Sequence, residues 1–128
     1  NMGCPEIKQE LTKAVEEAME GVYFDTGKST IKKQSYKALD ELAKVLKQNP
    51  NHRLHIHGHT DNVGSYKLNK DLSLRRAYAV RNYLRKKGVA DSSMIVEGFA
   101  YNKPVASNST ASGRAKNRRV ELTITYQE

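Results

Sequence analysis

The sequence predicts an α/β (α+β) domain of two layers, in which a mixed four-stranded sheet carries helices on one face. Apolar residues repeat at helical spacing in three long segments, and short apolar or alternating segments lie between and after them. Strands joined through helices imply parallel crossovers, whereas a shorter last connection allows the final strand to run antiparallel. The predicted order is therefore β-α-β-α-β-β, preceded by an extra N-terminal helix.

The first predicted element is an amphipathic helix over residues 5–19. Pro5 suits a first helical turn, and Gly21 ends the helical segment. We therefore divide the chain into an N-terminal linker and helix, residues 1–20, and one folded domain, residues 21–128. The apolar positions of this helix are Ile7, Leu11, Ala14, Val15, Ala18 and Met19.

Residues 22–24 are predicted to form a short first strand, and the polar residues 25–28 a loop at its carboxyl end. A second helix is predicted over residues 32–48, and Asn49-Pro50-Asn51 ends it. Ser29 or Thr30 can cap the start of this segment. The apolar positions of the helix are Tyr36, Leu39, Leu42, Ala43 and Leu46.

The second strand is predicted over residues 53–58, with Leu54 and Ile56 on one face and two histidines on the other. A polar loop, residues 59–65, then leads into a long third helix with Ser65 as N-cap. This helix ends in three basic residues followed by Gly88, which suits the negative end of a helix dipole.

The last third of the chain is predicted to contain two strands and a short helix. A turn at residues 91–93 leads into a third strand over residues 94–99, followed by a loop rich in Asn, Ser and Thr. Residues 110–117 form the short helix. The final strand is half buried, because Val120, Leu122 and Ile124 alternate with Glu121, Thr123 and Thr125.

An arginine interrupts the apolar stripe of the third helix. Leu68, Leu72, Val80 and Leu84 lie four or eight residues apart, and Arg76 occupies the missing step. An unpaired charge in an apolar stripe costs several kcal/mol, so Arg76 requires an anion from the protein or from a ligand. The alternative is that its long side chain extends past the stripe into solvent.

A candidate pocket follows from the loop and the helix together. Asp61 lies just past a predicted strand end, where ligands bind in open α/β sheets. Asn69 and Arg76 are two helical turns apart on one face, about 10 Å along the axis. A pocket lined by Asp61, Asn69 and Arg76 suits a zwitterion, with an ammonium on Asp61 and a carboxylate on Arg76. The alternative is an internal Asp61–Arg76 salt bridge without a ligand.

Composition limits the function without choosing it. The chain has 128 residues and a net charge of +8, which favours a polyanionic partner such as nucleic acid, an anionic membrane face or an acidic cell-wall polymer. No apolar run approaches the roughly 20 residues of a membrane span. Cys4 is the only cysteine, so no intrachain disulfide is expected.

Other site types have weaker support. His55, His57 and His59 can point to one side of a strand, but only Asp61 is near enough in sequence to complete a metal site, so we expect no metal and no cofactor. No catalytic motif or phosphate-binding loop is present, so we expect no enzyme. Two basic clusters leave a nucleic-acid-binding domain as an alternative, although the tyrosines are scattered and no helix-turn-helix or RNP pattern is present. They are Arg81, Arg85, Lys86 and Lys87, and Arg114, Lys116, Arg118 and Arg119.

These residues together resemble the OmpA-like domain, the peptidoglycan-binding module shared by OmpA, Pal and MotB proteins. The resemblance covers about residues 21–126. Its central part is Gly58-His59-Thr60-Asp61-Asn62-Val63-Gly64, Asn69, Leu72-Ser73-Leu74-Arg75-Arg76-Ala77 and Val80. Its flanks are Tyr23-Phe24-Asp25, Glu97-Gly98-Phe99, Pro104, Asn108, Thr110 and Gly113-Arg114-Ala115-Lys116-Asn117-Arg118-Arg119-Val120-Glu121.

The resemblance implies non-covalent binding of the peptidoglycan stem peptide at its diaminopimelate. Asp61 would hold the amine of that residue and Arg76 its carboxylate, while Phe24, Asp25, Thr60 and Asn69 would line the pocket. It further implies a periplasmic domain that tethers an outer-membrane protein to the cell wall, attached to the membrane only through an upstream segment. We expect a monomer or weak dimer. A structural or interaction domain with an unoccupied site remains an alternative.

Overall fold

The computed structural model describes residues 9–126, with side chains over residues 12–18 and 22–125. Residues 5–8 of the predicted first helix therefore lie outside the described part. Two short 3-10 helices, Lys33–Ser35 and Asp91–Ser93, precede α2 and β2 respectively. The main elements are α1 (Gln9–Gly21), α2 (Tyr36–Lys47), β1 (His52–Gly58), α3 (Tyr66–Lys86), β2 (Met94–Gly98), α4 (Ala111–Asn117) and β3 (Val120–Tyr126).

The sheet of the described chain has three strands in the order β2-β1-β3. Strand β2 pairs with β1 in parallel, and β3 pairs with β1 antiparallel. The predicted α/β class and mixed sheet are therefore confirmed, including the reversed direction of the last strand.

The predicted first strand, residues 22–24, is wrong as a strand. Tyr23 makes a single antiparallel bridge with Arg119. The amide of Phe24 donates to the carbonyl of Arg118 at 3.0 Å, and the amide of Val120 donates to the carbonyl of Val22 at 3.2 Å. The chain then turns, with Lys28 N–H donating to the Asp25 carbonyl, so the pairing stops before a ladder can form.

The core lies between the sheet and the helices. Leu54 and Ile56 of β1 are fully buried, whereas the intervening His55 and His57 are half-buried, as their alternation predicts. Helix α3 packs on β1 and β2, while α1 packs on α2 and β3. No helix of the described residues is long and apolar enough to cross a bilayer.

Helix α3 begins and ends as the sequence predicts. The hydroxyl of Ser65 accepts from the amide of Leu68 at 3.2 Å, and Gly88 has φ +101° just after the last turn. The predicted burial of one member of the stripe is wrong, because Leu68 is 67% exposed. In that first turn Asn69, rather than Leu68, faces the interior.

The end of β1 touches the backbone of α3 directly. A Cβ added at Gly58 would lie 1.8 Å from the carbonyl oxygen of Ser73, so only glycine fits there without a backbone shift. This close approach brings the residues that follow β1 alongside the middle of α3, where Arg76 lies.

Candidate functional site

Arg76 is fully buried, at 0% exposure, and links two loops. Its Nε donates to the carbonyl of Lys28 at 2.8 Å, its Nη1 to that of His59 at 2.9 Å and its Nη2 to that of Asp25 at 3.0 Å. The alternative in which this side chain extends into solvent is therefore excluded. Three backbone carbonyl oxygens thus supply part of the negative charge that Arg76 requires.

The charge of Arg76 is retained despite its burial. The guanidinium carbon lies 5.2 Å from the centre of the Phe24 ring, which is also buried. Burial lowers the pKa of Arg76 to about 10, while the negative charge of Asp61 acts in the opposite direction. At neutral pH the site therefore holds a fixed positive charge close to a negative one.

Asp61 forms its ion pair with Arg118 rather than with Arg76. Its Oδ2 lies 3.2 Å from Nη1 of Arg118, and its Oδ1 accepts from the amide of Val63 at 3.0 Å. Arg118 also donates from Nε to the carbonyl of Phe24 at 2.9 Å. The predicted alternative of an internal Asp61–Arg76 salt bridge is therefore replaced by a different internal pair. Arg118 was not among the predicted site residues, since it appeared only in a basic cluster and in the last segment of the family resemblance.

The remaining predicted site residues fix the shape of the loops. Asn69 donates from Nδ2 to the carbonyls of Val63 and Ser65, at 2.9 and 3.0 Å. The hydroxyl of Thr60 donates to the carbonyl of Asp61 at 2.8 Å. The Asp25 side chain is exposed and pairs with Lys32 at 3.0 Å. The structure thus brings Phe24, Asp25, Thr60, Asp61, Asn69 and Arg76 to one edge of the sheet, around the end of β1.

The histidines of the β1 region pack against an aromatic ring. His59 stacks on Phe99 with ring centres 5.4 Å apart, and His57 meets the same ring edge-on at 4.9 Å. His59 is 1% exposed, and its Nε2 lies 3.3 Å from Oε1 of Glu121, whose other oxygen is held by Arg119. Among the described residues, no group of three His, Cys, Asp or Glu side chains is arranged to hold a metal ion.

Lowering the pH is expected to destabilise the domain through His59. Burial, with Arg119 as the next cause, lowers the pKa of His59 from 6.5 to about 4. Below pH 6.5 the unfolded chain therefore binds a proton that the folded chain refuses until about pH 4. The free energy of unfolding should fall by roughly 2 kcal/mol between pH 6.5 and 5.

Urea unfolding at several pH values measures this effect. The variant His59→Gln should show a clearly smaller dependence on pH, although burial also lowers the pKa of His57 and leaves a residual effect of the same sign. Equal dependence in the wild type and in His59→Gln would rule out His59 as the titrating group.

Comparisons with known proteins identify the family of this chain. A model of the OmpA family matches residues 23–118. The chain is 45% identical over 118 residues to outer membrane protein Omp38 of Acinetobacter baumannii, covering 91% of this chain and 33% of that protein. It is 45% identical over 89 residues to the peptidoglycan-binding protein ArfA of Mycobacterium tuberculosis, covering 70% of this chain and 27% of that protein. The chain thus spans between about a quarter and a third of the length of these relatives.

Solved structures give the same result for the fold. The peptidoglycan-associated lipoprotein from Burkholderia pseudomallei superimposes with a TM-score of 0.80 at 35% identity, covering 81% of this chain and 88% of that one. The C-terminal domain of Helicobacter pylori MotB superimposes with a TM-score of 0.76 at 22% identity, covering 84% of each chain. At that identity the second match concerns the fold alone.

Proposed function

This chain belongs to the OmpA family, and on that premise we propose that it binds peptidoglycan without catalysing a reaction on it. The related proteins are named as outer-membrane proteins, a peptidoglycan-binding protein and a peptidoglycan-associated lipoprotein, in agreement with the predicted location in the cell envelope. We further propose that the domain tethers a larger outer-membrane protein to the cell wall from the periplasmic side.

The observation that carries this proposal is the pair of buried opposite charges, Asp61 and Arg76, beside the end of β1. Asp61 is 4% exposed and Arg76 is 0% exposed. Burying two charged side chains is costly unless each has a partner of opposite charge, either in the protein or in a bound ligand. Arginine has five N–H donors, and the carbonyls of Asp25, Lys28 and His59 take three of them. The other two, one on each Nη, are not taken by these carbonyls, and because Arg76 is fully buried, the loops around it must shift to admit a carboxylate.

A zwitterionic group fits these two charges. We propose that the free end of diaminopimelate in the stem peptide places its ammonium on Asp61 and its carboxylate on the remaining donors of Arg76. Asp61 then exchanges part of its contact with Arg118 for the ligand. Phe24, Asp25, Thr60 and Asn69 hold the loops in the shape that keeps these two charges facing one ligand.

Co-sedimentation with purified peptidoglycan, in the presence of small competitors, tests this assignment. Free diaminopimelate should displace the domain. Pimelate has the same carbon chain and both carboxylates but no ammonium, so it should leave the domain bound at the same concentration and ionic strength. If pimelate or sodium chloride alone displaces the domain as effectively as diaminopimelate does, the domain is held only by attraction between its net charge of +8 and an anionic polymer.

A further inference from the structure

A second concave surface lies beside the proposed ligand site. It is a cavity of about 230 Å³ between residues 29–31 and the second half of α3. No acidic residue lines it. Its polar and aromatic lining consists of Ser29, Thr30, Tyr36, Asn82, Tyr83 and Lys86.

The lining of this cavity adjoins the proposed site along two segments of chain. The carbonyl of Lys28 accepts from Nε of Arg76, and Ser29 and Thr30 follow it directly into the cavity wall. On α3, the lining extends from Ala79 to Lys86, which places it about 5 to 15 Å along the helix axis from Arg76. The cavity therefore lies within the length of an extended peptide from Arg76.

The aromatic part of the wall is held in place. The rings of Tyr36 and Tyr83 are stacked, with centres 5.2 Å apart and planes 16° apart. Nζ of Lys87 lies 5.5 Å from the centre of the Tyr83 ring, and the hydroxyl of Tyr83 donates to Asp40 at 2.6 Å. Tyr83 is thus fixed by three neighbours, while Tyr36 remains 38% exposed at the cavity.

We propose that this cavity binds one amino-sugar ring of the glycan strand, the sugar that carries the stem peptide. This proposal rests on the proposed function, because it concerns the part of peptidoglycan next to the diaminopimelate. The C–H face of a pyranose ring packs on an aromatic surface such as Tyr36. Its hydroxyl and acetamido groups match the hydroxyls of Ser29 and Thr30 and the amide of Asn82.

Size and distance agree with a single sugar. At about 230 Å³ the cavity is smaller than the roughly 300–1,000 Å³ of pockets that hold drug-sized ligands, which suits one sugar ring rather than a longer stretch of glycan. Diaminopimelate is the third residue of the stem peptide, so at ~3.3–3.6 Å per extended residue its backbone lies roughly 10 Å from the sugar, and its side chain adds about 5 Å to the end that we place at Arg76. The resulting separation of roughly 15 Å matches the far end of the span of α3 that lines the cavity.

Two ligands that differ only in the sugar test the proposal by calorimetry. One is the stem tripeptide that ends in diaminopimelate, and the other is the same tripeptide attached to N-acetylmuramic acid. The wild type should bind the second ligand about five- to tenfold more tightly. In Tyr36→Ala and in Asn82→Ala this ratio should fall to near one, with the affinity for the bare tripeptide unchanged. Tyr78→Ala is the matched control, because Tyr78 is an exposed tyrosine of α3 that does not line the cavity.

The outcomes separate this proposal from the one on which it rests. One such outcome is that the wild type binds the tripeptide with an affinity ratio between the two ligands near one, and another is that both variants keep the raised ratio of the wild type. Either result would overturn the sugar site and leave the diaminopimelate site standing. Failure of the wild type to bind either ligand would overturn both.

Discussion

Replacing Arg76 with alanine is expected to abolish peptidoglycan binding and to lower the free energy of unfolding by about 4 kcal/mol. The substitution leaves the carbonyls of Asp25, Lys28 and His59 without their donors. Each buried polar group that loses its partner costs about 1–3 kcal/mol. The loss of three such partners makes Arg76 a support of both loops as well as a candidate ligand contact.

Urea unfolding of Arg76→Ala beside Arg75→Ala measures the effect. Arg75 is the adjacent residue, and it makes an exposed ion pair with Asp71 at 2.9 Å, so its loss should cost less than about 1 kcal/mol. Arg76→Lys keeps the charge without the planar fork and should give an intermediate stability. Equal stability of Arg76→Ala and Arg75→Ala would show that Arg76 does not support the loops.

Replacing Asp61 with asparagine is expected to weaken peptidoglycan binding more than about 100-fold while the domain stays folded. Asparagine has nearly the same shape, and its amide oxygen can still accept from the amide of Val63. It lacks the charge that attracts an ammonium group, and each factor of ten in affinity corresponds to about 1.4 kcal/mol.

The control for this variant is Asp71→Asn, which removes the same charge from an exposed position on α3. Co-sedimentation and thermal unfolding of both variants separate binding from folding. Asp71→Asn should bind like the wild type. Wild-type binding by Asp61→Asn would remove Asp61 from the proposed site, and unfolding of Asp61→Asn would show that its pairing with Arg118 is mainly structural.

Local patterns predicted the elements around the site, and distant pairings produced the errors. The alternation in β1, the Ser65 cap and Gly88 are set by neighbouring residues, so the sequence predicts them correctly. The pairing of Asp61 with Arg118 joins residues 57 positions apart, and no spacing rule connects them. Leu68 fits the helical period, but burial depends on what packs against a helix turn. The roles of Asp61 and Arg76 in ligand binding stay predictions.

The contacts around Arg76 and Arg118 also determine when the site forms during folding. Arg118 reaches Phe24 across 94 positions, and Arg76 reaches Asp25 across 51. Contacts between distant parts of a chain close large loops, and the entropy of closing them must be overcome before the contacts stabilise anything. The loops around Asp61 therefore take their final shape only when these distant contacts form, no earlier than the equally distant pairing of β1 with β3. A partly folded chain that has its helices but not these contacts would lack the arrangement of Asp61 and Arg76.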